Sequence, residues 1–331
     1  MPTVLFPVRN AEATLDRALD SLWRQTWSDF EVLAVDDGST DRSGDILAAH
    51  ARRESRLRIL PGGDGLVAAL EAGRRFTRDP HLARMDADDI CHPDRFRRQL
   101  AYLDEHPDVA AVGSRVAIFP RADVGAGWRR YETWLNALVT PEDHHREIFI
   151  ESPLVHPSVM MRAAAVEAVG GYRETPWAED YDLWLRLSAA GWGLAKVPAT
   201  LLAWRHTMER YSLVSPKYSH GSFLAARAHY LARHPMLAAG SVAIWGAGRT
   251  GRRLTRRLRR HGVRVVDFYD VDPRKIGRDV EGARVRPWTD LARPGGIPVV
   301  VAVGSIGIRE LIRPEVLRRG YREGEDVLFA A

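Results

Sequence analysis

An α/β protein is predicted: a mostly parallel sheet flanked by helices, followed by a smaller α/β domain. Three observations predict it. Short β-rich runs alternate with helical stretches from Thr3 to about Ser114. Carboxylates gather where the predicted strands end, the edge at which open α/β sheets bind ligands. A glycine turn, Gly246-Ala247-Gly248-Arg249-Thr250-Gly251, follows another β-rich run near the C-terminus. A length of 331 residues is about twice that of a typical single domain, which agrees with a division in two.

Val4 to Val8 reads as the first strand, and Ala13 to Gln25, with its helical apolar spacing, as an amphipathic helix. Glu31 to Val35 is a second strand, Arg42 to Arg53 a helix and Leu57 to Leu60 a third strand. Leu66 to Phe76 is the next helix, and Leu82 to Met85 a fourth strand that runs into acidic residues. Between Val116 and Tyr211 regular alternation breaks down and tryptophan is frequent, with one clear helix at Tyr181 to Ala190. Lys217 to His234 reads as helical, and His234-Pro235 followed by Ala239-Gly240 as a boundary. Beyond it lie strands at Ser241 to Trp245, Val263 to Tyr269, Pro298 to Val303 and Asp326 to Phe329, with a helix at Ile308 to Arg319. The expected organisation is a main domain over 1–215, a helical linker over 216–239 and an accessory domain over 240–331.

Apolar residues make up 45% of the chain and charged residues 27%, which excludes fibrous and wholly disordered classes. The formal charge is +5, and lysine occurs only at Lys196, Lys217 and Lys275, so the positive charge is almost entirely arginine. Such a field favours anions without choosing among them. Arg252 to Arg260 reads as a helix with leucines four apart and a solvated basic face. Nucleic-acid binding is not expected, because no aromatic-interleaved basic stretch accompanies the charge. Cys91 is the only cysteine, so no internal disulfide or multi-cysteine metal site forms and a reducing, cytoplasmic setting is expected. Strand-like Val4-Leu5-Phe6 follows Met1 at once, and no apolar run approaches the roughly 20 residues that span a bilayer.

Asp86-Ala87-Asp88, directly after a strand, puts two carboxylates on one side of an extended backbone. Hard divalent cations such as Mg²⁺ or Mn²⁺ commonly bind through one or two such groups plus substrate phosphates. Alone, the pattern is also that of a solvated loop. Its surroundings are more specific. Val4-Leu5-Phe6-Pro7-Val8-Arg9-Asn10, Glu31 to Asp41 with Asp36-Asp37-Gly38-Ser39, Arg84-Met85-Asp86-Ala87-Asp88-Asp89, Pro93-Asp94-Arg95-Phe96 with Gln99, and Trp177-Ala178-Glu179-Asp180-Tyr181-Asp182-Leu183-Trp184 occur in one order. Together they resemble the family 2 nucleotide-sugar glycosyltransferases of the GT-A fold, over residues 3 to 212.

That resemblance implies a nucleoside-diphosphate sugar donor, a divalent cation (Mg²⁺ or Mn²⁺) and transfer to an acceptor hydroxyl. It places Pro7, Val8 and Asn10 along the nucleotide, Asp36 or Asp37 on the base, Asp86 near the ribose and Asp88 on the metal. Arg205 and His206 fall where the family places a pyrophosphate or metal contact. Asp180 is the expected base, since an acceptor hydroxyl needs a positioned group to take its proton; a helix cap is the plainer reading of Glu179-Asp180. Single in-line displacement implies inversion. Glu71 departs from the family pattern, in which asparagine is usual, and marks a nucleotide-side contact as doubtful. The absence of membrane-spanning runs suggests transfer of one sugar to a sugar, lipid-linked or small-molecule acceptor. The setting that follows is polysaccharide or glycoconjugate synthesis, with peripheral contact at the inner face of the membrane.

Gly246, Gly248 and Gly251 open a predicted helix, and Asp270 ends the next strand, the context of a dinucleotide fingerprint. Asp270 to Gly277, with Gly282 and Val285, instead resembles the small Rossmann-like module in front of sugar O- and N-acyltransferases. Three uses remain open for this region: nucleotide or nucleotide-sugar binding, homo-oligomer assembly, and NAD(P)-dependent redox chemistry. A non-catalytic nucleotide-sugar-binding protein is the remaining alternative.

Overall fold

Strand β1 (Pro2–Val8) is buried along nearly its whole length, as expected of a parallel strand covered on both faces. The computed structural model describes residues 1–207, 210–291, 294–304 and 307–331. These form two units, the first comprising Met1–His145, Pro153–Thr175 and Glu179–Val214. After β1 it runs through α1 (Leu15–Trp23), β2 (Glu31–Asp36), α2 (Ser43–Ala51), β3 (Leu57–Pro61), α3 (Leu66–Phe76), β4 (His81–Arg84), β5 (Ile90–Cys91), α4 (Arg95–Glu105) and β6 (Val109–Phe119). It continues with α5 (Ala126–Ala137), α6 (Pro141–Glu147), β7 (Met160–Arg162), α7 (Ala163–Ala168), α8 (Glu179–Ala189), β8 (Gly193–Arg205) and α9 (Tyr211–Val214).

The eight-stranded sheet has the order β3-β2-β1-β4-β7-β6-β8-β5. Its first four strands are parallel, with Val4 opposite Val32 on one side and Ala83 on the other. β7 runs antiparallel to both β4 and β6, while β6 and β8 are parallel and β5 closes the edge antiparallel to β8. Helix α1 forms because Leu15, Ala18, Leu19 and Leu22 recur at helical spacing and bury together against this sheet. Phe30 meets Phe96 edge-on at 5.2 Å in the same core. The sole thiol, Cys91, lies buried beside Gln25 and Arg95, and burial pushes its pKa up.

The stretch 116–211, read from sequence as irregular around one helix, is largely regular. It holds the last residues of β6, the strands β7 and β8, and the helices α5 to α8. Lys196 and Pro198 interrupt the apolar pattern of β8, and the β6–β8 register shifts three times, so no local period betrays the pairing.

Lys196 has no solvent exposure, and its ammonium donates one hydrogen bond, 2.5 Å to the carbonyl of Leu135. Burial, reinforced by Arg115, pushes its pKa down to about 7. The unfolded chain therefore holds more protons between that value and the ordinary 10.5, and stability rises with pH across this window. Lys196→Met is expected to stabilise the protein by roughly 2 kcal/mol at pH 6, where the buried charge costs most. The gain should shrink towards zero near pH 10, and melting curves of the two proteins across this range check both the sign and the slope.

The second unit comprises Arg146–Ser152, Pro176–Ala178 and Ser215–Ala331. Its main elements are α10 (His220–Leu231), β9 (Ser241–Trp245), α11 (Arg249–Arg260), β10 (Arg264–Asp270), β11 (Asp279–Val280), β12 (Ala283–Pro287), β13 (Val299–Val301), α12 (Ile308–Arg318) and β14 (Val327–Phe329). The sheet order is β11-β12-β10-β9-β13-β14, parallel except for β11. The stretch 216–239, read from sequence as a helical linker, holds α10, and contacts group it with this unit. Segment 146–152 is tied in by Glu147 to Arg313 at 2.7 Å and Glu151 to Arg227 at 3.4 Å. Among the described residues no helix is long and apolar enough to cross a membrane.

Candidate functional site

Because β1 pairs in parallel with both β2 and β4, their C-terminal ends share one edge of the first unit. The turns leaving that edge carry most of the predicted site residues. After β1, with its half-buried Pro7 and buried Val8, Asn10 adopts a left-handed conformation, φ 47°. Its backbone N–H donates to Ser39 Oγ at 3.0 Å, and its Oδ1 accepts from Thr40 N at 2.8 Å, so the β1 and β2 turns are pinned together. Asp36 and Asp37 differ in use. Asp37 is buried, accepts from Gly65 N at 2.8 Å and pairs with Arg9 at 3.5 Å, bracing the entry to α3. Asp36 is half-buried, and its Oδ1 accepts from Ser39 N at 3.0 Å.

Beyond β4 the carboxylates of Asp86, Asp88 and Asp89 each offer an oxygen within 4.8 Å of the others. Asp89 is fully buried, and its Oδ1 accepts the backbone N–H of Arg205 at 2.7 Å, whereas its Oδ2 has no partner among the described residues. Arg205 Nε donates to the carbonyl of Asp88 at 2.7 Å, and its guanidinium lies 4.5 Å over Phe119. The end of β8 is thereby hooked onto the acidic turn. Burial and the neighbouring Asp86 push Asp88 up to about 6, against Arg210 and Arg205. Asp89 is pushed well above the usual carboxylate range by burial and by both neighbouring aspartates. Three crowded carboxylates, one of them with an acceptor oxygen unpartnered among the described residues, form an oxygen-rich site.

His206 is buried next to Arg205, its ring 4.7 Å from that of Trp128, and its Nδ1 has no partner among the described residues. Arg210 lies 4.3 Å over Trp204, and its charge reaches Asp88 and Asp89.

Asp180 opens α8, buried beside Glu179, with its Oδ1 accepting from Tyr181 N at 2.7 Å. Burial and the Glu179 charge push its carboxyl well up; Tyr181 N–H and Arg84 oppose them. Arg84 connects the two acidic groups. It ends β4 fully enclosed, with Nη1 2.6 Å from Asp86 Oδ1, and its positive charge acts on both Glu179 and Asp180. Behind them His156 Nε2 meets Tyr172 Oη at 2.8 Å, with Nδ1 3.8 Å from Glu179 Oε1. Burial, with Arg84, holds this imidazole well below its ordinary pKa, so it is neutral. Glu71 accepts Tyr172 N at 2.7 Å and pairs with Arg74 at 2.7 Å. The residue that departs from the family pattern thus holds the backbone of Tyr172, whose hydroxyl meets His156.

The scaffold under the acidic turn is equally specific. Arg95 is buried and, among the described residues, has no carboxylate partner. It donates to the carbonyls of Arg84 at 2.7 Å and Val159 at 3.1 Å and to Gln99 Oε1 at 3.0 Å. Gln99 in turn donates to the carbonyls of Val112 and Ser158, both at 2.8 Å. Charge-assisted bonds of this kind are about twice as strong as neutral ones, and these fix the strand end from which Asp86 projects.

The sequence reading missed Arg84, Tyr172 and the Glu71 contact. Only Arg84 leaves a signal, standing two residues before Asp86 on an extended run.

Gly246, Gly248, Gly251 and Asp270 belong to the second unit. Gly246 has φ 117°, and a side chain on Gly251 would collide with the Gly246 carbonyl oxygen, so glycine is required at both. Asp270 Oδ2 accepts from Ala247 N at 2.9 Å and pairs with Lys275 at 3.0 Å, and its Oδ1 accepts from Asp272 N at 2.9 Å. Both oxygens already hold the turn that a ribose would have to compete with.

Residues 3–170 match the family described as Glycosyl transferase family 2. Over 206 residues the chain is 32% identical to the amylovoran biosynthesis glycosyltransferase AmsE of Erwinia amylovora, covering 61% of this chain and 75% of that protein. It is 26% identical over 204 residues to the UDP-Gal:α-D-GlcNAc-diphosphoundecaprenol β-1,3-galactosyltransferase of Escherichia coli, covering 61% and 72%. Its fold is similar to that of S. aureus TarS 1–349, crystallised with UDP-GlcNAc, at a TM-score of 0.57 and 17% identity over 78% of this chain and 72% of that one.

Proposed function

The chain belongs to glycosyl transferase family 2, and from that premise we propose that its first unit transfers one sugar, with inversion, from a nucleoside-diphosphate sugar to an acceptor hydroxyl. The reaction serves the building of a polysaccharide or glycoconjugate, in keeping with the amylovoran biosynthesis and diphosphoundecaprenol acceptor in the names of its relatives. Family membership favours neither the redox alternative nor the non-catalytic one. The observation that carries the proposal is the joining, through Arg84, of the acidic turn at Asp86 to the buried Glu179-Asp180 pair.

Asp88, Asp86 and the open Oδ2 of Asp89 suit a hard divalent cation, Mg²⁺ or Mn²⁺, with His206 as a further candidate ligand. When bound, such a cation neutralises charge that develops on the departing diphosphate. Arg205, anchored across Asp88 and Asp89, sits to meet the same phosphates. Asp36 is the better base-contacting residue, because Asp37 is engaged with Gly65 and Arg9. The backbone of Pro7 and Val8 and the side chain of Asn10 complete the donor side. Asp180 takes the acceptor's proton as the new bond forms.

A thermal-shift series with UDP, GDP, dTDP and CDP sugars, each with and without Mn²⁺, tests this. Binding to the folded state at 100 times Kd stabilises it by about 2.7 kcal/mol. One donor class is expected to raise Tm only when Mn²⁺ is present; the absence of any metal-dependent shift across the series would overturn the donor assignment.

A further inference from the structure

Helix α11 carries exposed Arg249, Arg252, Arg253, Arg256, Arg259 and Arg260. At 100° per residue these fall within an arc of about 120° and span about 17 Å of helix. The opposite face, with Gly251, Leu254, Thr255 and Leu258, is buried in the second unit. Arg257, between the two, donates to the carbonyl of Gly221 at 3.2 Å.

An arginine-rich composition does not by itself make such a face. Elsewhere several arginines pair with carboxylates close by in sequence: Arg56 with Glu54, Arg97 with Asp94, Arg186 with Asp182, Arg319 with Glu315 and Arg322 with Glu325. Helix α11 contains no carboxylate, and among the described residues its one ion pair is Arg256 with Glu281 at 3.4 Å. Its like charges stand three and four residues apart, a spacing at which they repel. Arg249, Arg252 and Arg253 also sit at the end of the helix where the dipole disfavours cations. The crowding is visible at Arg257, whose pKa is lowered by burial and then by Arg260, Arg253 and Arg256. An external polyanion would relieve a face whose one carboxylate partner among the described residues is Glu281.

We propose that this arginine face docks the second unit on an anionic lipid bilayer. A row of guanidiniums on the outer surface of a helix matches a planar array of headgroups, and residues 249–260 include no aromatic side chain to stack on bases. The apolar stripe of α11 is already buried in its own unit, so the contact is peripheral and electrostatic, without insertion into the acyl region. The reading rests on the second unit alone and does not depend on the transferase assignment.

Sedimentation of the full chain with vesicles tests it. In 0.1 M salt, partition onto vesicles of 30% phosphatidylglycerol in phosphatidylcholine is expected to exceed that onto pure phosphatidylcholine at least tenfold, and 0.5 M NaCl should release the protein. Each guanidinium near the surface is worth about a fivefold change in partition. A variant carrying Arg252→Gln, Arg256→Gln and Arg259→Gln should therefore lose more than tenfold, while melting no lower than the parent because repulsion is reduced. Equal partition onto neutral vesicles, unchanged partition of the triple variant, or tighter binding to duplex DNA or RNA than to the anionic vesicles would overturn the proposal.

Discussion

Asp180→Asn is expected to lower turnover about 10³-fold, the loss that follows when a general base is removed. The metal-dependent thermal shift by donor should survive, since the groups proposed to hold the donor lie on the turns after β1, β2 and β4. The pH profile makes the assignment sharper. Asp180 is pushed up by burial and by Glu179, so the free protein holds a proton on this pair at pH values where an ordinary aspartate is ionised. A base must be unprotonated to act, so kcat/KM should rise with pH as the pair loses that proton. Arg84 favours the ionised form, and Arg84→Met should move the rise to higher pH. Sugar transfer by Asp180→Asn at more than a tenth of the parent rate would remove Asp180 from this role.

Asp88→Asn should have the second large effect, lowering kcat/KM at least 10²-fold and abolishing the difference between donor thermal shifts with and without Mn²⁺. The same substitution should stabilise the protein when no metal is present. Asp88 is raised to about 6, so ionising it above that pH works against the fold, and asparagine removes the charge. A gain of about 1–2 kcal/mol at pH 7.5, fading as pH falls below 6 towards the ordinary aspartate value, is the expected sign and size. Loss of activity together with a rise in metal-free Tm separates a functional carboxylate from a structural one, whose removal lowers both. Asp89→Ala is the useful contrast, since Asp89 Oδ1 anchors the Arg205 backbone and its loss should lower Tm.

Much of the first unit can be read from local pattern. β1 to β4 and the helices between them announce themselves by apolar period and by turns, and Asp86, Asp88 and Asp89 are adjacent in the chain. What cannot be read depends on distant partners. β6 and β8 are separated by four helices and joined in an irregular register, and Lys196 looks like a surface residue until the fold encloses it. The link from Asp86 through Arg84 to Asp180, backed by His156, Tyr172 and Glu71, draws on five separate stretches of chain, with only Arg84 and Asp86 close together. In the second unit the glycine turn was legible, but the engagement of both Asp270 oxygens with the turn itself was not. The short β11 and β12 carry too few residues to show a period.

Arg95 and Gln99 grip main-chain oxygens of Arg84, Val159, Ser158 and Val112. Every amino acid offers the same carbonyl, so the side chains at Val112, Ser158 and Val159 can drift over evolutionary time without loosening the grip. Arg95 and Gln99 have no such freedom. Homologues that tolerate wide variation along these flanking segments should still keep a guanidinium and an amide four positions apart, as a fixed clasp within otherwise changing sequence.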